Sequence, residues 1–169
     1  MPKKNKKVRQ KIKQEKEQKH EKTFAPQPRV LAILIGFPGS GKSYYAQHCL
    51  NNYYRISQDE FGRFPHYKKF LQLLIEGCNR IVIDRVNFQR LQRLRYTLPA
   101  KYFKYKITYY HFTAPEVMCL KRMATRQNHP TINSRDTEKH KEIINQFKTQ
   151  FESIEDYEFD EYVEVKTGE

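Results

Sequence analysis

The chain has 169 residues and a formal net charge of +13, which allows one domain with a substantial core and excludes two. The charge fits a polyanionic partner, nucleic acid first and an anionic membrane surface by charge alone, while no apolar run reaches membrane-spanning length. Cys49, Cys78 and Cys119 are widely spaced in apolar or helical stretches and without zinc spacing, so they read as buried thiols of a soluble, intracellular protein, cytoplasmic or nuclear/nucleolar.

In chain order, residues 1–29 hold eleven Lys/Arg against three Glu and almost no apolar side chain. Such a segment cannot bury enough surface to offset its conformational entropy. It is expected to be a disordered basic tail, serving as an electrostatic arm for RNA, as a nuclear or nucleolar address, or as no more than a solvated tail. A folded domain over 30–151 then opens with a strand at 30–35, apolar throughout. A helix is expected over 41–51, a strand over 53–57 ending in Gln58-Asp59-Glu60, and a helix over 67–76 stopped by Gly77. A strand at 81–83 ends in Asp84, and a basic helix over 88–98 is closed by Pro99. After a strand at 106–112, a helix runs from Pro115 to about 127 and breaks at 128–130. A last helix over 135–151 is capped by Asn133 or Ser134, and the acidic segment 152–169 holds a fifth strand at 162–165. Strands alternating with helices predict an α/β fold with a parallel sheet of about five strands, flanked by helices.

Between the first strand and helix stands Gly36-Phe37-Pro38-Gly39-Ser40-Gly41-Lys42-Ser43, a G-x-x-x-x-G-K-S phosphate-binding loop. Its glycines let the backbone fold around a polyphosphate with N–H groups turned inward. Lys42 is expected on the β- and γ-phosphates of ATP or GTP, Ser43 on Mg²⁺, and Tyr44 beside them on the first helical turn. A right-handed βαβ fold brings the C-terminal strand ends to one edge, so Asp59 and Asp84 arrive beside the nucleotide. Asp59 then suits proton removal from an acceptor hydroxyl, or a helix N-cap, and Asp84 suits Mg²⁺ or its water shell, or a turn. Arg122 and Arg126 are four apart on one helix face, fit to close on donor phosphates as a lid or to form a solvated basic face. Arg85, Arg90, Arg93 and Arg95 with Asn87-Phe88, and Phe61, Arg63, Phe64, Tyr67, Lys68 and Lys69, interleave cations with rings as single-strand binders do. Most of the rings must nonetheless build the core.

On these residues, segment 31–131 resembles the P-loop polynucleotide 5′-kinases. Gly36 to Ser43 is similar to that family's G-x-P-G-S-G-K-S loop, Ser57-Gln58-Asp59-Glu60-Phe61-Gly62 to its Asn/Ser-x-Asp-x-x-Gly segment, and Ile83-Asp84-Arg85-Val86-Asn87 to its Ile-Asp-x-x-Asn segment. Arg126-Gln127-Asn128-His129-Pro130-Thr131 is similar to the lid of some members. The resemblance implies a kinase of 5′-hydroxyl RNA or DNA ends using ATP or GTP with Mg²⁺. In it Asp59 is the general base, Asp84 an acceptor-site or metal-organising acid, Arg126 the lid arginine, and Arg63, Arg85 and Asn87 acceptor contacts. RNA is favoured by the basic arm. Many members carry a fused phosphatase or ligase, for which this chain has no room. A metabolite kinase and a non-catalytic, nucleotide-binding RNA-associated protein are the alternatives.

Overall fold

Strand β1 (Val30–Gly36) is apolar on consecutive residues because neighbours cover it on both sides and both faces, and Leu31 to Ile35 are each 0% exposed. It pairs in parallel with β3 (Arg80–Asp84), Val30 opposite Arg80, and with β4 (Lys106–Thr113), Val30 opposite Lys106. With β2 (Tyr54–Ser57) outside β3 and β5 (Glu161–Lys166) outside β4, the order is β2-β3-β1-β4-β5, all parallel. The computed structural model describes residues 28–62, 64–125 and 136–168. Most of the basic tail, Arg63, Arg126, the break at 128–130 and the expected caps Asn133 and Ser134 therefore lie outside the described residues.

Alternation along the strands divides the core in two. Leu31, Ile33 and Ile35 face Phe70, Leu73 and Leu74 of α3 (Pro65–Glu76) and Tyr96 and Ala100 of α4 (Arg90–Tyr102). Ala32 and Leu34 face Ala46 of α1 (Lys42–His48) and Leu50 beyond it. A third cluster joins Cys119 and Met123 of α5 (Glu116–Thr125) to Ile144 of α6 (Thr137–Gln150). No helix among the described residues is long and apolar enough to cross a membrane.

Several local expectations are corrected. Helix α4 continues through Pro99 to Tyr102; the Arg95 carbonyl, which a proline four residues on cannot serve, lies at the surface with the Tyr67 hydroxyl 3.5 Å away. Gln58–Phe61 is a short helix, α2, rather than the tail of a strand. Asp136 caps α6, its Oδ1 accepting from the Lys139 N–H at 3.1 Å. Cys49, just past α1, is exposed rather than buried, whereas Cys119 is buried and Cys78 half-buried. Gly77 does close α3, at φ +73° and ψ +32°.

The acidic C-terminal segment is tied to the basic helix. Glu158 is 0% exposed and takes the Arg93 guanidinium at 2.7 and 3.0 Å and the Tyr109 hydroxyl at 3.2 Å. Arg90 reaches Glu155 at 3.1 Å, and its backbone N–H is bound by Glu152. Arg93, expected to face a nucleic-acid backbone, is thus 0% exposed and neutralised inside the fold. Burial alone would raise the Glu158 carboxyl, but hydrogen bonds from Arg93, the Glu155 backbone and Tyr109 hold it below its ordinary value. A depressed folded-state value gives stability that is present above the unfolded carboxyl range, about pH 4.3, and is lost as pH falls through the folded value. Glu158→Gln should therefore cost about 3–5 kcal/mol at pH 7 in urea unfolding. That gap should narrow on acidification below about pH 4; a gap constant from neutral to strongly acid pH would contradict the assignment.

Candidate active site

The chain leaves β1 and turns over residues 37–41 into α1 under two steric constraints. Gly36 has φ +145°, and a Cβ there would stand 2.7 Å from the Phe112 carbonyl oxygen. Gly39 has φ +82°, and a Cβ there would meet the Cys119 carbonyl oxygen at 2.6 Å. The loop is thus wedged between the end of β4 and helix α5, where only glycine fits at both positions. Phe37 holds its outer side by packing on Phe147 of α6, centroids 4.4 Å apart.

Inside the loop, Ser40 is 0% exposed, and its carbonyl accepts the Thr167 hydroxyl at 2.8 Å. The Lys42 ammonium sits at the centre, donating to the carbonyls of Gly36 at 2.8 Å and Phe37 at 2.5 Å and to Ser40 Oγ at 3.3 Å. Gly41 caps α1 at φ +95°, and the first backbone bond back to it comes from Tyr45. The N–H groups of the first turn, which have no partner within the helix, face the loop with the positive end of the helix dipole. Arg122 closes the outer side, Nη1 donating to the Gly39 carbonyl at 3.4 Å. Beside it a cleft of ≈ 580 Å³ is lined by Gly39, Gly41, Tyr44, Arg122, Thr125 and Thr167. Tyr44 is 67% exposed and stacks on His48 at 4.0 Å.

At the end of β3, Asp84 accepts the Ser43 hydroxyl on Oδ1 at 3.2 Å, and on Oδ2 it takes Arg55 Nε at 2.8 Å and Nη2 at 2.7 Å. Arg55 also pairs with Glu60 of α2. Burial alone would make the guanidinium easier to deprotonate, but Asp84 and Glu60 hold its value above the usual range. A hydroxyl and a carboxylate this close, both hard oxygen donors beside a polyphosphate cradle, fit Mg²⁺, which keeps waters and substrate oxygens in its shell. Arg55 was missed in the sequence. Its one signal was a guanidinium inside a strand otherwise bound for the core, where a charge needs a partner. Thr167 gave no signal.

Asp59 stands exposed on α2 at the same edge. Arg85 Nη1 donates to the Tyr96 hydroxyl at 3.0 Å, and that hydroxyl is 2.7 Å from His66 Nε2. His66 Nδ1 lies 2.8 Å from the Gly62 carbonyl, which only accepts, so Nδ1 donates there and Nε2 faces the Tyr96 hydroxyl. Arg85 is thereby positioned by a buried relay. Asn87 differs from expectation: it is 0% exposed at φ +48°, and its Nδ2 donates to the Leu34 carbonyl at 2.8 Å. Its amide pins the exit of β3 to β1 and does not face an acceptor.

With this geometry in hand, comparisons place the chain. The AAA domain family model matches residues 31–154. The "Putative bifunctional polynucleotide phosphatase/kinase" of Acanthamoeba polyphaga mimivirus is 30% identical over 80 residues, covering 46% of this chain and 19% of the relative, so the match spans under a fifth of that protein. Among solved structures, a putative kinase from Chloroflexus aurantiacus is similar at TM-score 0.60 and 13% identity, covering 84% of this chain and 90% of that one. A sugar kinase from Janibacter sp. is similar at TM-score 0.57 and 15% identity, covering 83% and 86%. At these identities the likeness shows the fold, that of the P-loop kinases.

Arg55→Ala removes from the Asp84 carboxylate, its side chain 3% exposed, the cation that pairs with it among the described residues. The expected loss is roughly 3 kcal/mol in denaturant unfolding, with Arg55→Lys recovering part of it; an unchanged midpoint in Arg55→Ala would contradict the pairing.

Proposed function

The chain belongs to the AAA domain family, and from that premise we propose that it is a kinase that transfers the γ-phosphate of ATP or GTP to the 5′-hydroxyl end of a polynucleotide, RNA in preference to DNA. One observation carries the reading: at a single sheet edge, the Lys42 cradle and the Ser43–Asp84–Arg55 cluster stand beside the exposed carboxylate of Asp59. Phosphoryl transfer asks for this set, a cradle, a metal position, a base and cations on the developing charge.

In this account Lys42 exchanges its loop carbonyls for the β- and γ-phosphate oxygens, and the N–H groups of the first α1 turn hold the same phosphates. Ser43 and Asp84 would hold Mg²⁺ or its waters, and the ion supplies charge neutralisation across the phosphates. The nucleoside lies in the cleft lined by Tyr44, Arg122 and Thr167. Asp59 takes the proton of the 5′-hydroxyl as its oxygen bonds to Pγ and the bond from Pγ to the β–γ bridging oxygen breaks, releasing the nucleoside diphosphate. Arg126 is assigned to the donor phosphates and Arg63 and Arg85 to the acceptor.

The acceptor class is supported by the similarity to the mimiviral putative polynucleotide phosphatase/kinase and by the net charge of +13. A compact metabolite has no use for so wide a cationic surface. Its test is a separation of binding from chemistry. Asp59→Asn should slow transfer to a 5′-hydroxyl oligonucleotide by about 10²–10⁴-fold while nucleotide affinity, followed by fluorescent ATP titration, stays within about twofold. Turnover close to the wild-type rate would overturn the assignment of the base.

A further inference from the structure

Phe64 is 78% exposed at the N-terminal end of α3, five positions beyond Asp59. It supplies no side-chain cap to the helix, and leaving such a ring in water forgoes its burial. Three residues on, hence on the same helix face and about 4.5 Å further along the axis, stands Tyr67. Its ring packs inward with its edge to Tyr96 at 5.9 Å, and Arg95 lies over it, Cζ 3.9 Å from the centroid. The outermost layer at that point is therefore a guanidinium.

The lack of a carboxylate partner among the described residues sets Arg95 apart from its helix neighbours. Arg90 and Arg93 are neutralised by Glu155 and Glu158. Arg95 is exposed and, among the described residues, pairs with no carboxylate. Exposed Lys68 adds a second cation on the α3 side. The patch is tied to the site from beneath, because Arg85, just beyond Asp84, binds the hydroxyl of buried Tyr96, and the Tyr96 ring meets Tyr67. An exposed ring at the start of α3 and, three residues on, a ring covered by an exposed guanidinium from α4 thus stand on the helix that follows Asp59.

We propose that Phe64 and Arg95 form a stacking platform for the bases that follow the 5′ end, so that the acceptor is a single strand of at least three nucleotides. This rests on the polynucleotide reading above. Phe64 takes the face of the first base beyond the terminal nucleotide and Arg95 the next, while Lys68 and Arg95 offset the backbone charge. A single strand can turn its base faces to the protein, whereas in a blunt duplex those faces are already stacked. Ring and guanidinium faces accept any base, so the platform selects strandedness and length rather than sequence.

The test measures kcat/KM for 5′-hydroxyl mono-, di-, tri- and pentanucleotides and for a blunt duplex. Wild type should rise from mono- to trinucleotide, level off, and discriminate against the duplex. Phe64→Ala and Arg95→Ala should each lower the tri- to mononucleotide ratio by about tenfold, through KM, since one base stack is worth about 1–3 kcal/mol. Phe64→Trp should restore it. Ile75→Ala, an exposed apolar side chain near the far end of α3, should keep the wild-type ratio. If oligonucleotides are phosphorylated but both alanine variants keep the wild-type length profile, the platform alone is overturned. If wild type phosphorylates no oligonucleotide, the polynucleotide reading falls and the platform with it.

Discussion

The site depends on one carboxylate taken almost out of water. Asp84 has a side chain 3% exposed, and a charge so placed costs several kcal/mol unless it is paired and hydrogen-bonded. Arg55 reaches it from β2 and Ser43 from α1, so one carboxylate fixes the end of β3 against two neighbouring elements. The same three side chains fix where a hydroxyl and an acid meet beside the phosphate loop. Loop position is set just as tightly, since Gly36 and Gly39 leave no room for a side chain against β4 and α5. Stability and chemistry share these contacts.

Charge is partitioned by the same logic. The acidic C-terminal segment packs on α4 and consumes Arg90 and Arg93, the second of them buried in a pair that also holds Tyr109. Among the described residues, Arg95 of α4 and Lys68 of α3 face outward, while Arg85 is partly buried. A charge run on a helix is thereby sorted into an inner row that holds the last strand in place and an outer row free for a polyanion. Net charge alone conceals this division.

Much of the architecture was legible because its signals are local. Apolar and β-rich runs, the G-x-x-x-x-G-K-S loop and Gly77 each specify a conformation from a few adjacent residues, and the five parallel strands stand within a residue of the spans expected. Contacts across the chain were not legible. Helix α4 passes through Pro99, its freed carbonyl lying at the surface near a hydroxyl from α3. Asn87, placed by motif at an acceptor, is turned inward by its bond to Leu34, and Arg93 is claimed by a glutamate 65 positions away. Arg55 and Thr167 reach the site from outside any motif, so only the folded register brings them there.

The central claim is transfer to a polynucleotide end. Its most direct measurement is the appearance of label from γ-labelled ATP or GTP, with Mg²⁺, on 5′-hydroxyl RNA and DNA oligonucleotides, with Lys42→Ala as the control and sugars as competing acceptors. The account predicts label on the oligonucleotide 5′ end, more on RNA than on DNA, absent in Lys42→Ala and undiminished by sugars. Label on a small acceptor alone, or nucleotide binding with no labelled product, would contradict it.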